Sequence, residues 1–132
     1  MMMTKILSKN SVRNKCETSI IFLTSVSGKS GQKGYAFYGA SKAALAASTR
    51  ALALELAPHN IRLNCVCCGH VETAINIERS SILPEREERL RIAHPLGIGS
   101  PIDAANAIGF LLSDKSKWIT GTEMVVDGGF LE

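Results

Sequence analysis

The chain has 132 residues, of which 45% are hydrophobic and only 5% aromatic; this composition argues for one folded domain with an Ile/Leu/Val/Ala core and against disorder. The formal net charge of +3 is unevenly spread: residues 1–60 carry eight Lys/Arg against two Asp/Glu, and residues 61–132 carry seven against ten. Lys5, Lys9, Arg13, Lys15, Lys29 and Lys33 are scattered without a nucleic-acid motif, no apolar stretch reaches transmembrane length, and MMMTKILSK lacks the apolar core of a secretion signal. Neither nucleic acid nor a membrane is therefore expected as a partner.

MMMTKILSK has the propensity for a short helix, and residues 10–18 read as a polar connection. SIIFLTS, residues 19–25, is a continuous β-branched and aromatic run suited to a buried parallel strand. GKSGQKG, residues 28–34, breaks that strand. A long helix is predicted from near Tyr38 to near Ala57, with Ala40, Leu45, Leu52 and Leu56 as its packed face and Pro58 favouring its end. IRLNCV, residues 61–66, reads as a second strand, and the strand-helix-strand order predicts a right-handed crossover in a parallel sheet. Residues 69–84 form an irregular connection with room for a helical turn. Pro84 with EREERLRIA predicts a brief helix, residues 103–112 a firmer one started by Ser100 and Pro101, and GTEMVVDGG a short closing strand. The expected fold class is α/β, a truncated Rossmann-like parallel sheet with flanking helices, with no internal repeat and no second domain.

CVCCGH carries three of the four cysteines and a histidine, all suitable soft ligands. Its spacing is not that of a structural zinc pair, and strand alternation sends Cys67 and Cys68 to opposite faces. No metal is expected; the thiols read as small packing groups, which suits a reducing, cytoplasmic setting.

Tyr38 and Lys42 stand four residues apart on one helix face, where an ammonium can favour a phenolate and a tyrosine hydroxyl can exchange a proton with an alcohol or carbonyl oxygen. Taken alone, the pair reads better as an edge-packed tyrosine and a lysine reaching solvent. Ser25, thirteen residues before Tyr38 in TSVSGKSGQKGYAFYGASKAAL, changes the balance. The segment resembles the short-chain dehydrogenase/reductase family with its Tyr-x-x-x-Lys site. The resemblance implies that Ser25 orients or polarises the substrate oxygen and Tyr38 transfers the proton. It implies that Lys42 lowers the tyrosine pKa and binds the nicotinamide-ribose hydroxyls. Ser27 and Ser41 read as local hydrogen-bonding groups.

IRLNCVCCGHVETAI is similar to the family's strand and loop at the nicotinamide end of the cofactor. By that similarity Gly69 is the turn glycine, Val71 contacts the carboxamide through its backbone, and Thr73 offers a hydroxyl to the amide or diphosphate. The plain alternative is a Gly turn, an apolar loop anchor and a helix-starting Thr. Cys68 replaces the proline usual at that point, which leaves the loop less fixed. His70 reads as a solvent-facing loop residue. In HPLGIGSPIDAANAIGFLLSDKSKWITGTEMVVDGGFLE, which resembles the family's closing helix and strand, a usual basic residue is lacking. There Trp118 reads as a packing anchor and Asp127 as fixing the terminal turn.

The resemblance covers most of residues 19–132, with a looser match over residues 1–9. It does not extend to the family's Gly-rich cofactor loop, acidic or basic cofactor discriminator, or additional catalytic Asn, and GKSGQKG does not match GxGxxG. Residues 1–132 are thus expected to be a partial catalytic domain of an NAD- or NADP-dependent oxidoreductase acting on a small carbonyl or alcohol. A 3-oxoacyl thioester reductase is one subtype, and the isolated chain is expected to have little activity. The alternative is an inactive interaction or oligomerisation protein. Because residues 19–25 would lack a neighbouring strand, a homo-oligomer or a complementary upstream fragment is expected as a partner.

Overall fold

The structure, a computed structural model, describes residues 17–74 and 84–132. Three strands and three main helices alternate along it: β1 (Thr18–Ser25), α1 (Ala36–Leu56), β2 (Ile61–Cys68), α2 (Pro84–Ala93), α3 (Pro101–Leu112) and β3 (Glu123–Val126). Short 3-10 turns at Val26–Gly28, Ala57–His59 and Asp114–Ser116 punctuate the connections. The sheet order is β1-β2-β3, and both pairings are parallel, as the strand-helix-strand pattern predicts. The helix expected over residues 1–9 and most of the expected turn before Pro84 lie outside the described residues. Thr18, read as connection, is the first residue of β1.

β2 is the spine. Seven of its eight residues are buried, as befits a central strand covered on both faces. Ile61 and Leu63 pack with Ala53 and Leu56 of α1, and Ile20, Phe22 and Leu52 close around them. The buried stripe of α1 is Gly39, Ala46, Thr49, Ala53 and Leu56. This corrects the expected face: Leu56 belongs to it, Leu45 and Leu52 are half-buried, and Ala40 is exposed. The reason is close approach. A Cβ on Gly39 would collide with the Ser27 carbonyl oxygen, so the smallest side chains rather than the leucines meet the turn and sheet.

The opposite face of β2 carries Arg62 and Asn64, both buried. The Arg62 guanidinium donates to the carbonyls of Leu111 (3.0 Å) and Ser113 (3.3 Å) and to Ser116 Oγ (3.1 Å), and its Nε pairs with Glu17 at 3.1 Å. A cation thus sits on the orphan carbonyls at the end of α3, where the helix dipole favours it. Asn64 donates to Ile119 O and accepts from Thr122 N–H, both at 3.0 Å. These bonds weld β2 to the connection before β3. They also overturn the reading of Trp118 as a packing anchor: Arg62 and Ser116 fill the interior there, and Trp118 is 99% exposed.

Candidate active site

The three strands end nearly level. Ser25 is in register with Cys68, and Cys68 with Val126, so the loops after all three leave from one edge of the sheet. Ser25 is extended (φ −152°, ψ 150°), and its Oγ accepts the Ser27 N–H at 3.2 Å. The following 3-10 turn lies directly on α1: a Cβ on Gly28 would stand 2.9 Å from Ala43 N. Two glycines, one in the turn and one in the helix, therefore bring the end of β1 against the start of α1. Both predicted elements of the serine-tyrosine-lysine arrangement meet here.

Tyr38 lies in the first turns of α1 and is 46% exposed. Lys42, one turn on, places Nζ 5.6 Å from the Tyr38 ring centroid and donates to Leu23 O at 2.9 Å. The ammonium thus bridges the tyrosine and the strand that ends in Ser25. Ser41 Oγ donates to Tyr38 O at 2.6 Å and Ser27 Oγ to Gln32 Oε1 at 3.1 Å, the local roles expected of both. The Tyr35 ring stands edge-on to Tyr38 with centroids 6.0 Å apart, and Arg86 of α2 donates to the Tyr35 hydroxyl at 3.2 Å. That contact draws α2 towards the tyrosines, and nothing in residue spacing announced it.

Gly69 follows β2 directly. Its N–H donates to Val126 O at 2.9 Å, and a Cβ there would come 2.7 Å from the Asp127 Cα, so a side chain would push the two loops apart. Asp127 accepts from the N–H groups of Gly129 (2.9 Å) and Leu131 (3.1 Å), fixing the terminal turn as expected. Val71 forms a parallel bridge with Gly99, and Thr73 is exposed. His70 is half-buried rather than solvent-facing, because its N–H donates to His94 Nε2 at 3.1 Å and draws the loop inward.

Cys65 and Cys67 are buried on the α1 face of β2, and half-buried Cys68 points the other way. Burial pushes the Cys67 thiol up to about 11, with the Glu123 charge adding to the effect. Burial also raises Cys65, and raises Cys68 against the opposing charge of Lys42. Among the described residues no three His, Cys, Asp or Glu side chains gather as a metal site. Lys29 and Glu123 pair at 2.8 Å; the hydrogen bond to Glu123 raises the lysine. A cavity of about 530 Å³ lined by Glu17, Arg62, Lys117 and Trp118 opens at the other end of the strands, away from Ser25 and Tyr38. Among the described residues no helix is long and apolar enough to cross a membrane.

A parallel sheet flanked by helices, with Ser25, Tyr38 and Lys42 at its carboxyl edge, defines the class as a truncated Rossmann-like α/β fold. Residues 1–131 match the family model described as Enoyl-(Acyl carrier protein) reductase. The chain is 40% identical over 113 residues to 3-oxoacyl-[acyl-carrier-protein] reductase FabG of Rickettsia bellii, covering 85% of this chain and 46% of that protein. It superposes with a TM-score of 0.79 and 38% identity on a short chain dehydrogenase/reductase family oxidoreductase from Burkholderia thailandensis, covering 86% of this chain and 44% of that one. The structure of ElxO with NADP bound matches with a TM-score of 0.81 and 28% identity over 98% of this chain and 49% of that one. The chain belongs to the short-chain dehydrogenase/reductase family and resembles NAD(P)-binding members of it. It spans about half the length of the relatives it matches.

Proposed function

We propose that this chain provides the catalytic, nicotinamide-facing half of an NAD(P)-dependent reductase or dehydrogenase that interconverts a carbonyl and an alcohol. The observation that carries the reading is Lys42 Nζ, placed beside the Tyr38 ring and bonded to Leu23 O, two residues before Ser25. Ser25 accepts a backbone N–H through its oxygen, so its own hydrogen remains available to donate to a substrate oxygen. Tyr38, half in solvent, gives its proton to that oxygen in reduction and takes it back in oxidation. Lys42 spends one donor on Leu23 O and has two more for ribose hydroxyls. Bound NAD or NADP supplies the hydride chemistry.

The residues fit the nicotinamide end of that cofactor: a hydroxyl, an ammonium, and the backbone around Gly69, Val71 and Thr73 share the carboxyl edge of the sheet. They do not provide a diphosphate platform, because among the described residues no Gly-rich loop opens a helix in the phosphate-binding pattern. We therefore read residues 1–132 as a partial domain whose adenine and diphosphate contacts come from an upstream fragment or a partner. The relatives favour a 3-oxoacyl thioester as substrate, and the free thiols fit a cytoplasmic setting. A second reading, a non-catalytic assembly protein, rests on the exposed apolar side chains Phe37 and Leu54 along α1.

Calorimetry with NADH and NADPH, then turnover over a carbonyl panel, tests both readings on the chain alone and on the chain reconstituted with an upstream fragment. Weak binding by the isolated chain and turnover on reconstitution are expected. Tyr38→Phe in the reconstituted protein should lose about 10²–10⁴-fold in turnover. Full turnover in that variant would remove Tyr38 as the proton donor. Normal assembly without cofactor binding under either condition would select the second reading.

A further inference from the structure

We infer that His94 is a positioning residue for the loop over residues 69–73, acting as a neutral acceptor that sets the direction of the His70 peptide. The part of this inference that concerns cofactor rests on the function proposed above. His94 follows the end of α2 and is only 3% exposed. Its Nδ1 lies 2.6 Å from Leu90 O, and a carbonyl oxygen can only accept, so Nδ1 carries the proton. The His70 N–H donates to Nε2 at 3.1 Å, so Nε2 is bare. The two partners together fix one neutral tautomer. The other tautomer would set a donor against a donor at Nε2 and an acceptor against an acceptor at Nδ1. A doubly protonated ring would still oppose the His70 N–H.

The ring joins three segments that are distant in sequence. Leu90 belongs to α2, and His70 to the loop after β2. Phe130 of the terminal turn packs on the imidazole, with ring centroids 4.8 Å apart and planes 30° from parallel. The same junction is closed by backbone bonds from Leu96 N to Gly128 O (3.0 Å) and from Gly97 N to His94 O (2.8 Å). His70 is therefore held on both sides. Its N–H goes to His94, and its carbonyl accepts from Gly99 N at 3.1 Å, while Glu72 N–H returns to Gly99 O at 2.8 Å.

With Gly69 N–H on Val126 O, the consecutive peptides of this loop are oriented by three different neighbours: β3, His94 and Gly99. Of these three neighbours, His94 acts through its side chain. A backbone tether follows the fold, whereas a side-chain tether can be removed without changing the main chain. An imidazole lone pair thus helps to aim the loop that the function proposed above assigns to the nicotinamide.

Two substitutions separate the bonds of that ring. In His94→Gln the terminal carbonyl reaches the Nε2 position and can still accept the His70 N–H. In His94→Asn the shorter amide sits near Nδ1 and can still donate to Leu90 O, leaving His70 without its acceptor. Both variants lose the contact with Phe130, so the difference between them reads the acceptor. Hydrogen exchange of the His70 amide should accelerate about tenfold in His94→Asn and stay within about threefold of the parent in His94→Gln. Equal exchange in the two variants, or better protection with Asn, would overturn the inference.

A nitrogen–nitrogen coupling across the hydrogen bond between His70 N and His94 Nε2 in the unmutated chain provides a test that needs no variant. An unprotonated Nε2 showing that coupling is expected; a protonated Nε2 would overturn the inference. Titration with reduced nicotinamide mononucleotide then follows the amides of residues 69–73. The parent and Gln chains should respond alike and the Asn chain should bind about tenfold more weakly. Equal binding by the Asn chain overturns the positioning role, whereas no response in the parent chain counts against the proposed function and leaves the exchange result standing.

Discussion

Ser25, Tyr38 and Lys42 are legible from spacing because their relation is local: four residues along one helix, and a strand end that a tight turn returns to that helix. His94 and Arg62 are illegible for the opposite reason. The partner of His94 lies 24 residues away and that of Arg62 up to 57 residues away, so no period in the sequence marks them. Trp118 departs from expectation because a large apolar residue between two elements ordinarily packs, and here a buried guanidinium already occupies the interior. The cysteines give a prediction at this scale. Burial raises the Cys67 thiol to about 11, so the reactive thiolate is scarce at neutral pH and appears only as pH climbs towards that value. Alkylation with iodoacetamide under native conditions should modify half-buried Cys68 well before Cys65 or Cys67. Faster labelling of Cys67, mapped by peptide fragmentation, would contradict that assignment.

Element boundaries follow from residue chemistry within one or two positions, and the faces of elements follow less well. In α1 the leucine spacing pointed to one stripe, while the turn after β1 demanded the smallest residues at the contact and rotated the helix towards Gly39. Gly39→Ala should accordingly destabilise by about 1–3 kcal/mol, since backbone cannot yield as a side chain would. Denaturant unfolding measures this, and a midpoint equal to the parent's would show that the turn moves freely. At the start of α3, Asp103 accepts from the N–H and the O–H of Ser100, both at 2.7 Å, and these bonds hold its carboxyl below the usual carboxylate range. A carboxyl depressed in the folded state stabilises above its unfolded value, and the contribution is lost as pH falls through the folded value. Asp103→Asn should therefore lower the melting temperature near neutral pH and flatten the acid limb of the stability profile. A parallel downward shift at every pH would contradict this linkage.

For the whole molecule, α/β class and parallel order are readable because the strands are short apolar, β-branched runs and helix chemistry lies between them. The edge of the sheet is where the sequence stops informing. β1 pairs with β2 on one side, and among the described residues no strand pairs with its other side. Leu23 is 49% exposed within it. Unpaired strand backbone beside apolar side chains favours association. Light scattering over a wide concentration range should show a dimer or larger species, with amide exchange over residues 19–25 slowing as assembly proceeds. A persistent monomer with a protected edge would reject this expectation.

Arg62 gives β2 one further property. Near its start the strand is joined by a guanidinium to the carbonyls of Leu111 at the end of α3 and of Ser113 and Ile119 beyond it, and charged donors make the stronger hydrogen bonds. Beyond its end, the chain is steadied by neutral bonds, including one to an imidazole. The strand is therefore anchored by different means along its length: among the described residues its first half is paired with β1 alone and reinforced by the buried guanidinium, and its second half is paired with both β1 and β3.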